Sequence, residues 1–111
     1  MSQNIHYTAD DISEFYKENR LSWNQFYPSE KKVLEHINPN EKSKVLDIGC
    51  GCGGLGIALK ERFNINNYTG IEINKKAVEE AKMLSKNGKF ICGDFLDLSA
   101  NLGDFNLVCS L

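Results

Sequence analysis

The chain has 111 residues, 41% of them hydrophobic and 25% charged, with a formal net charge of −2 and a pI near 5.7. That length supports one globular domain burying roughly two-thirds of its unfolded surface, with no second domain, and the slight acidity gives no electrostatic reason to expect a nucleic-acid surface. No apolar run approaches the ~20 residues of a membrane span, and an N-terminus with Asp10, Asp11 and Glu14 lacks the basic-then-apolar pattern of a signal peptide, so the expected compartment is the cytoplasm without a membrane partner.

In chain order, Thr8-Ala9-Asp10-Asp11 has the form of a helix N-cap, and Ile12, Phe15 and Tyr16 follow at helical spacing. A helix is therefore expected from Ala9 to Arg20. Trp23, Phe26 and Tyr27 cluster before Pro28, and residues 1–28 read as an N-terminal helical and aromatic segment preceding an α/β unit over 29–111. Ser29 can cap a short helix with Val33, Leu34 and Ile37 on one face, ended by Asn38-Pro39.

From Lys44 the period changes to that of strands alternating with helices. The expected strands are Val45 to Ile48, Tyr68 to Ile73, Lys89 to Cys92 and Phe105 to Leu111. The helices between them are Leu55 to Phe63 and one capped by Asn74 that turns Ala77, Val78, Ala81 and Leu84 inward and closes at Asn87-Gly88. This alternation implies an α/β fold, a Rossmann-like parallel sheet with helices on both faces. The cysteines, Cys50, Cys52, Cys92 and Cys109, have no spacing typical of a disulfide framework and are expected as reduced thiols. C-x-C spacing with His6 and His36 far away does not suggest a metal site.

The stretch from Val45 to Gly54 carries the most chemistry. A strand ends in an acid, Asp47, and the chain then offers Gly49, Gly51 and Gly53 at alternate positions, a turn on which a nucleotide-like ligand can lie against bare backbone. In a parallel sheet Asp47, Glu72 and Asp94 share the carboxyl edge, where ligands bind. Glu72 can accept from ribose hydroxyls and Asp94 from an exocyclic amine. Two ligand classes compete for this edge. Gly49, Gly51 and Gly54 read as the dinucleotide pattern G-x-G-x-x-G, but a carboxylate two residues upstream would repel a pyrophosphate. Asp47 therefore favours a ligand with a cationic portion, such as S-adenosylmethionine.

Val45-Leu-Asp-Ile-Gly-Cys-Gly-Cys-Gly53, Gly70-Ile-Glu-Ile-Asn74, Cys92-Gly-Asp-Phe95 and Phe105-Asn-Leu-Val-Cys-Ser-Leu111 together resemble the class I S-adenosylmethionine-dependent methyltransferases. The resemblance covers residues 29–111. It implies that Asp47 and the backbone of Gly49, Cys50, Gly51 and Gly53 hold the methionine moiety, Glu72 the ribose, Ile73 one adenine face, and Asp94 with the Phe95 amide the adenine edge. Cys109 and Ser110 would stand on the acceptor side, and Tyr16, Trp23 and Tyr27 become candidates for a lid. Asn106 stands where the family often has Asp. Cys109-Ser110-Leu111 is more similar to the small-molecule branches than to enzymes with an Asn-Pro-Pro-Tyr-type sequence, so a small-molecule acceptor is expected.

The family's sheet has about seven strands in the order 3-2-1-4-5-7-6. This chain supplies strands 3-2-1-4, and the expectation is a sheet truncated after strand 4. The apolar fourth strand would then be an open edge, prone to self-association or strand exchange. Two other readings compete with methyl transfer: a module that binds S-adenosylmethionine without turnover, and half of an NAD- or FAD-dependent oxidoreductase.

Overall fold

The computed structural model describes residues 20–111. The helix expected from Ala9, and with it Tyr16, lies outside the described residues.

After a 3-10 turn at Trp23–Gln25, helix α1 spans Pro28–Ile37. Tyr27, not Ser29, is its N-cap, because Pro28 fits the first helical position, where no N–H is needed. The Glu30 carboxylate receives the Tyr27 N–H at 2.9 Å. Asn38 ends the helix in the left-handed region, and Pro39 follows. Of the three apolar residues expected on one face, Leu34 is buried, whereas Val33 and Ile37 are exposed.

Strand β1, Lys44–Ile48, leads through the glycine loop into α2, Gly54–Phe63, and β2, Asn67–Glu72, leads into α3, Lys75–Leu84. Asn74 caps α3 as expected, its side-chain oxygen accepting from the N–H groups of Lys76 and Ala77. The helix stops at Ser85, in extended conformation, before Asn87-Gly88 is reached. β3, Lys89–Cys92, is followed by a one-turn helix α4, Phe95–Leu98, and a 3-10 turn at Ser99–Asn101, neither anticipated.

The last strand, β4, spans Leu107–Cys109, shorter than Phe105 to Leu111. Asn106 sets where it starts. Its N–H donates to the Lys44 carbonyl at 3.0 Å, and its side-chain oxygen accepts the Lys44 N–H at 2.8 Å, so this side chain takes the place of a ladder partner.

All pairings are parallel and the strand order is β3-β2-β1-β4. Val45 and Asp47 share one face with Tyr68, Gly70 and Phe90, their register partners or neighbours, and the core forms there against Leu55, Leu59, Val78 and Ala81. Leu46 and Ile71, buried on the opposite face, explain why these strands read as continuous apolar runs. The β3-to-β4 connection crosses from one edge of the sheet to the other, and right-handedness assigns it to that opposite face. The order reverses between β1 and β4, so the crevice that takes ligands in such sheets opens above these two strands. No helix among the described residues is long and apolar enough to cross a membrane.

Candidate functional site

The loop after β1 is shaped by left-handed backbone at Gly49 (φ 75°) and Gly53 (φ 81°), which side-chain-bearing residues rarely adopt. The Ile71 carbonyl of β2 accepts the N–H groups of both Gly49 (2.9 Å) and Cys50 (3.0 Å), which fastens the loop to the sheet edge. A Cβ built on Gly49 would meet nothing within 4 Å, so open space lies above it. Gly53 is the N-cap of α2 and offers no capping side chain, which leaves the positive end of the helix dipole facing the cleft.

Glu72 ties this loop to the next one. Its Oε1 accepts the Gly51 N–H at 3.0 Å and its Oε2 the Asn74 N–H at 2.8 Å. Each oxygen keeps lone-pair capacity for a further donor, and the half-buried side chain remains reachable. Ile73, beside it, is 72% exposed, an apolar surface free to be covered by a flat ring. At the end of β3, Asp94 caps α4 by accepting the Leu96 N–H at 3.0 Å through Oδ1. Among the described residues its Oδ2 has no donor, and the Phe95 N–H, first in its helix, has no acceptor.

Asp47 is the electrostatic centre. Only 3% exposed, it receives the Tyr68 hydroxyl at Oδ2 (2.5 Å), and among the described residues nothing donates to Oδ1. Burial pushes its carboxyl up from 3.8 to about 7, against the lowering effect of the Tyr68 hydrogen bond. A buried carboxylate with one open oxygen, beside bare glycine backbone, is a receptor for a cationic hydrogen-bond donor. Tyr68 is itself held protonated, by burial and by the neighbouring carboxylate.

Cys50 lies over Gly70, where a Cβ would stand 2.7 Å from its sulfur, and burial followed by the nearby Asp47 charge raises its thiol far out of the ionising range. Cys109 pairs in register with Asp47, is buried, and is pushed up to about 11 for the same reasons. Neither thiol is therefore poised as a nucleophile. Ser110 follows Cys109 at the surface.

Of the lid candidates, Trp23 packs edge-on against Phe63 at 5.4 Å, and its backbone N–H donates to the Glu61 carboxylate, at the far end of α2 from the glycine loop. Tyr27 is 61% exposed. The cleft of about 50 Å³ over the loop is bounded instead by Arg20 and Phe26 together with Asp47, Gly49, Cys50 and Gly51. These two residues had no signal in the motif pattern. The one available hint was the extra glycine: a Cβ on Gly54 would fall 1.5 Å from the Arg20 carbonyl oxygen. Gly54 thus serves the approach of the Arg20–Leu21 backbone, and Gly49, Gly51 and Gly53 shape the loop.

Residues 45–111, more than half of the chain, match the methyltransferase domain family. The chain belongs to that family. The methyltransferase domain is similar to a malonyl-[acyl-carrier protein] O-methyltransferase of Brevibacillus brevis, 29% identical over 73% of this chain and 32% of the relative. It is also similar to a phosphoethanolamine N-methyltransferase of Plasmodium falciparum, 32% identical over 97% and 42% respectively. The chain thus spans about a third to two-fifths of the length of these relatives. In fold, it superposes on an S-adenosyl-L-methionine-dependent methyltransferase structure from Methanococcus maripaludis with a TM-score of 0.70, over 99% of this chain and 53% of that one, at 21% identity. The methyltransferase domain accordingly has the Rossmann-like fold of the S-adenosylmethionine-dependent class, with strands 3-2-1-4 present.

Proposed function

We propose that this methyltransferase domain binds S-adenosylmethionine along the carboxyl edge of β1, β2 and β3 and serves methyl transfer to a small-molecule acceptor. The observation that carries the reading is Asp47, a buried carboxylate with an unfilled oxygen beside an open glycine backbone. A dinucleotide pyrophosphate would be repelled there, whereas the ammonium of the methionine moiety supplies the missing donor. Glu72 would receive the ribose hydroxyls, Ile73 would cover an adenine face, and the Asp94 carboxylate and Phe95 N–H offer an acceptor and a donor for the adenine edge.

The cofactor, when bound, supplies a methyl carbon already activated by its sulfonium. The protein's part is to position and to exclude water. Asp47 and the loop fix the amino-acid end, and Glu72 and Asp94 fix the nucleoside. The half-buried Cys50 and the buried Cys52 line the cleft with weakly polar thiols, which favours a reaction that disperses charge. The small-molecule acceptor is supported by the similarity to the phosphoethanolamine enzyme across nearly the whole chain, and by a net charge of −2, which offers a polyanion little attraction.

Isothermal titration with S-adenosylhomocysteine tests the reading. Micromolar-range binding is expected, and Glu72→Ala should weaken it by roughly 5- to 100-fold, corresponding to about 1–3 kcal/mol for an unsatisfied ribose donor. Thermal melts of the same variant separate this loss from loosening of the loop at Gly51. Binding of NAD without binding of S-adenosylhomocysteine would overturn the assignment.

A further inference from the structure

Tyr68 lies in none of the four motifs that carry the family resemblance, yet its hydroxyl meets the one buried carboxylate among the described residues. It stands on β2 opposite Val45, two residues before Gly70, the register partner of Asp47, and so on the face that Asp47 shares. From there the side chain spans the diagonal between the two strands and donates its hydroxyl to Oδ2 of Asp47 at 2.5 Å. Both residues are buried, so the bond lies out of reach of bulk water.

The ring sits in a slot built from two glycines and a second aromatic ring. A Cβ on Gly56, in the first turn of α2, would stand 2.8 Å from two Tyr68 ring carbons, and one on Gly88 would stand 3.2 Å from a third point of contact, the ring's Cδ1 edge. Phe90 closes another side, edge-on at a centroid distance of 5.8 Å. Alanine would be the better helix former at Gly56, and the missing side chain makes room for the tyrosine. A ring clamped in this way fixes the place of its hydroxyl before any ligand arrives.

The other groups around Asp47 do not hold it. Burial raises its carboxyl most, the Tyr68 bond lowers it, the like charge of Glu72 on β2 raises it, and the opposite charge of Arg20, before α1, lowers it. Glu72 spends its oxygens on the Gly51 and Asn74 N–H groups, and Arg20 pairs with Glu30. The thiols that feel the Asp47 charge, Cys50 from the glycine loop and Cys109 from β4, are pushed up, first by burial, and stay neutral. Among the described residues, Tyr68 alone donates a hydrogen bond to this carboxylate.

We infer that Tyr68 is a positioning residue for the cofactor: its hydroxyl, clamped from β2, holds the Asp47 carboxylate in one orientation and widens the pH range over which that carboxylate receives a cationic group. The inference rests on the cofactor reading above and adds to it a residue behind the site. A hydrogen bond donated to a carboxylate favours its charged form, so its loss must move the pH at which Asp47 can bind a cation upward.

Calorimetric titrations of wild type and Tyr68→Phe from pH 6 to pH 8.5 test this with two ligands. S-adenosylhomocysteine carries the ammonium, and 5′-methylthioadenosine keeps the nucleoside and the thioether without it. Phe retains the ring and its contacts with Gly56, Gly88 and Phe90, so a cooperative thermal melt is expected at pH 6. In Tyr68→Phe the rise of S-adenosylhomocysteine affinity with pH should be displaced upward by about one pH unit, a loss of roughly 5- to 10-fold at pH 6.5 that shrinks to within about 2-fold at pH 8.5. Methylthioadenosine should bind both proteins within about 2-fold throughout, because it brings no ammonium to Asp47. An unchanged pH profile, equal losses of both ligands across the range, or a variant that no longer melts cooperatively would make Tyr68 a packing residue and overturn the inference. Failure of wild type to bind either ligand would remove the cofactor reading itself and the inference with it.

Discussion

Asp47→Asn is expected to make the ligand-free protein more stable at pH 8, by up to roughly 4 kcal/mol, and at the same time to abolish measurable binding of S-adenosylhomocysteine. The stability gain follows from linkage. The Asp47 carboxyl sits at about 7 in the folded chain, chiefly because it is buried, against 3.8 for an ordinary carboxyl. A group that binds its proton more tightly when folded stabilises the fold fully below pH 3.8, and this contribution falls away as pH rises to about 7. At 1.36 kcal/mol per pH unit, that interval amounts to about 4 kcal/mol. Asn carries no charge, and its carbonyl can still accept the Tyr68 hydroxyl, so its stability should be flat over the same window.

Denaturant melts of both proteins from pH 4 to pH 8 measure the difference. Coincident curves at pH 8 would show that the carboxylate is not under strain. The binding loss has the same origin, because only the ionised carboxylate attracts a cationic group. Wild-type affinity should therefore increase as pH rises toward 7 and then level off. A ligand that supplies the missing donor relieves a cost that the free protein carries, a pattern expected where a buried charge is kept for function.

What could be read from the residues and what could not divides along physical lines. Strand ends are local features. An apolar run followed by an acid and glycines marks the carboxyl edge wherever it occurs, so Asp47, Glu72 and Asp94 align on it from the residues alone, and alternation with helices implies a parallel sheet, whereas the order 3-2-1-4 comes only from the family resemblance. α4 leaves no signal in the sequence because Phe95–Leu98 is one turn long, too short for a helical period to register. β4 is shorter than its apolar composition suggests, because composition does not show where a side chain, here Asn106, replaces the ladder. Tyr68 lies in an apolar strand and reads as core, and its hydroxyl finds Asp47 only through the parallel pairing of β1 and β2. The aromatic cluster before Pro28 is visible in the sequence as a unit, but which ring faces the cleft depends on how residues 20–26 cross α2. Trp23 goes to Phe63 and Phe26 to the cavity.

That crossing is also where a single methyl group should do most harm. Gly54→Ala is expected to destabilise the protein by about 2–4 kcal/mol, the range for overpacking combined with lost aromatic burial. At the first position of a helix with ordinary backbone angles, alanine would normally be preferred over glycine by up to about 1 kcal/mol. Here the sign should reverse, because the new Cβ would fall 1.5 Å from the Arg20 carbonyl oxygen and 2.7 Å from its carbon, both backbone atoms that cannot swing aside. Residues 20–26 would have to lift, loosening the Phe26 burial, the Trp23–Phe63 contact and the Arg20–Glu30 pair together.

Gly49→Ala is the control. Its Cβ meets no protein atom, so its cost should be limited to the left-handed backbone, about 1–2 kcal/mol, while the methyl occupies the space above the loop and lowers ligand affinity. Melts and titrations should thus separate the two glycines. Gly54→Ala loses stability first, because residues 20–26 must lift from α2. Gly49→Ala stays folded and weakens S-adenosylhomocysteine directly at the loop. Equal stability losses in the two variants would mean that residues 20–26 do not rest on Gly54, and the wall that carries Arg20 into the cleft would have to be redrawn.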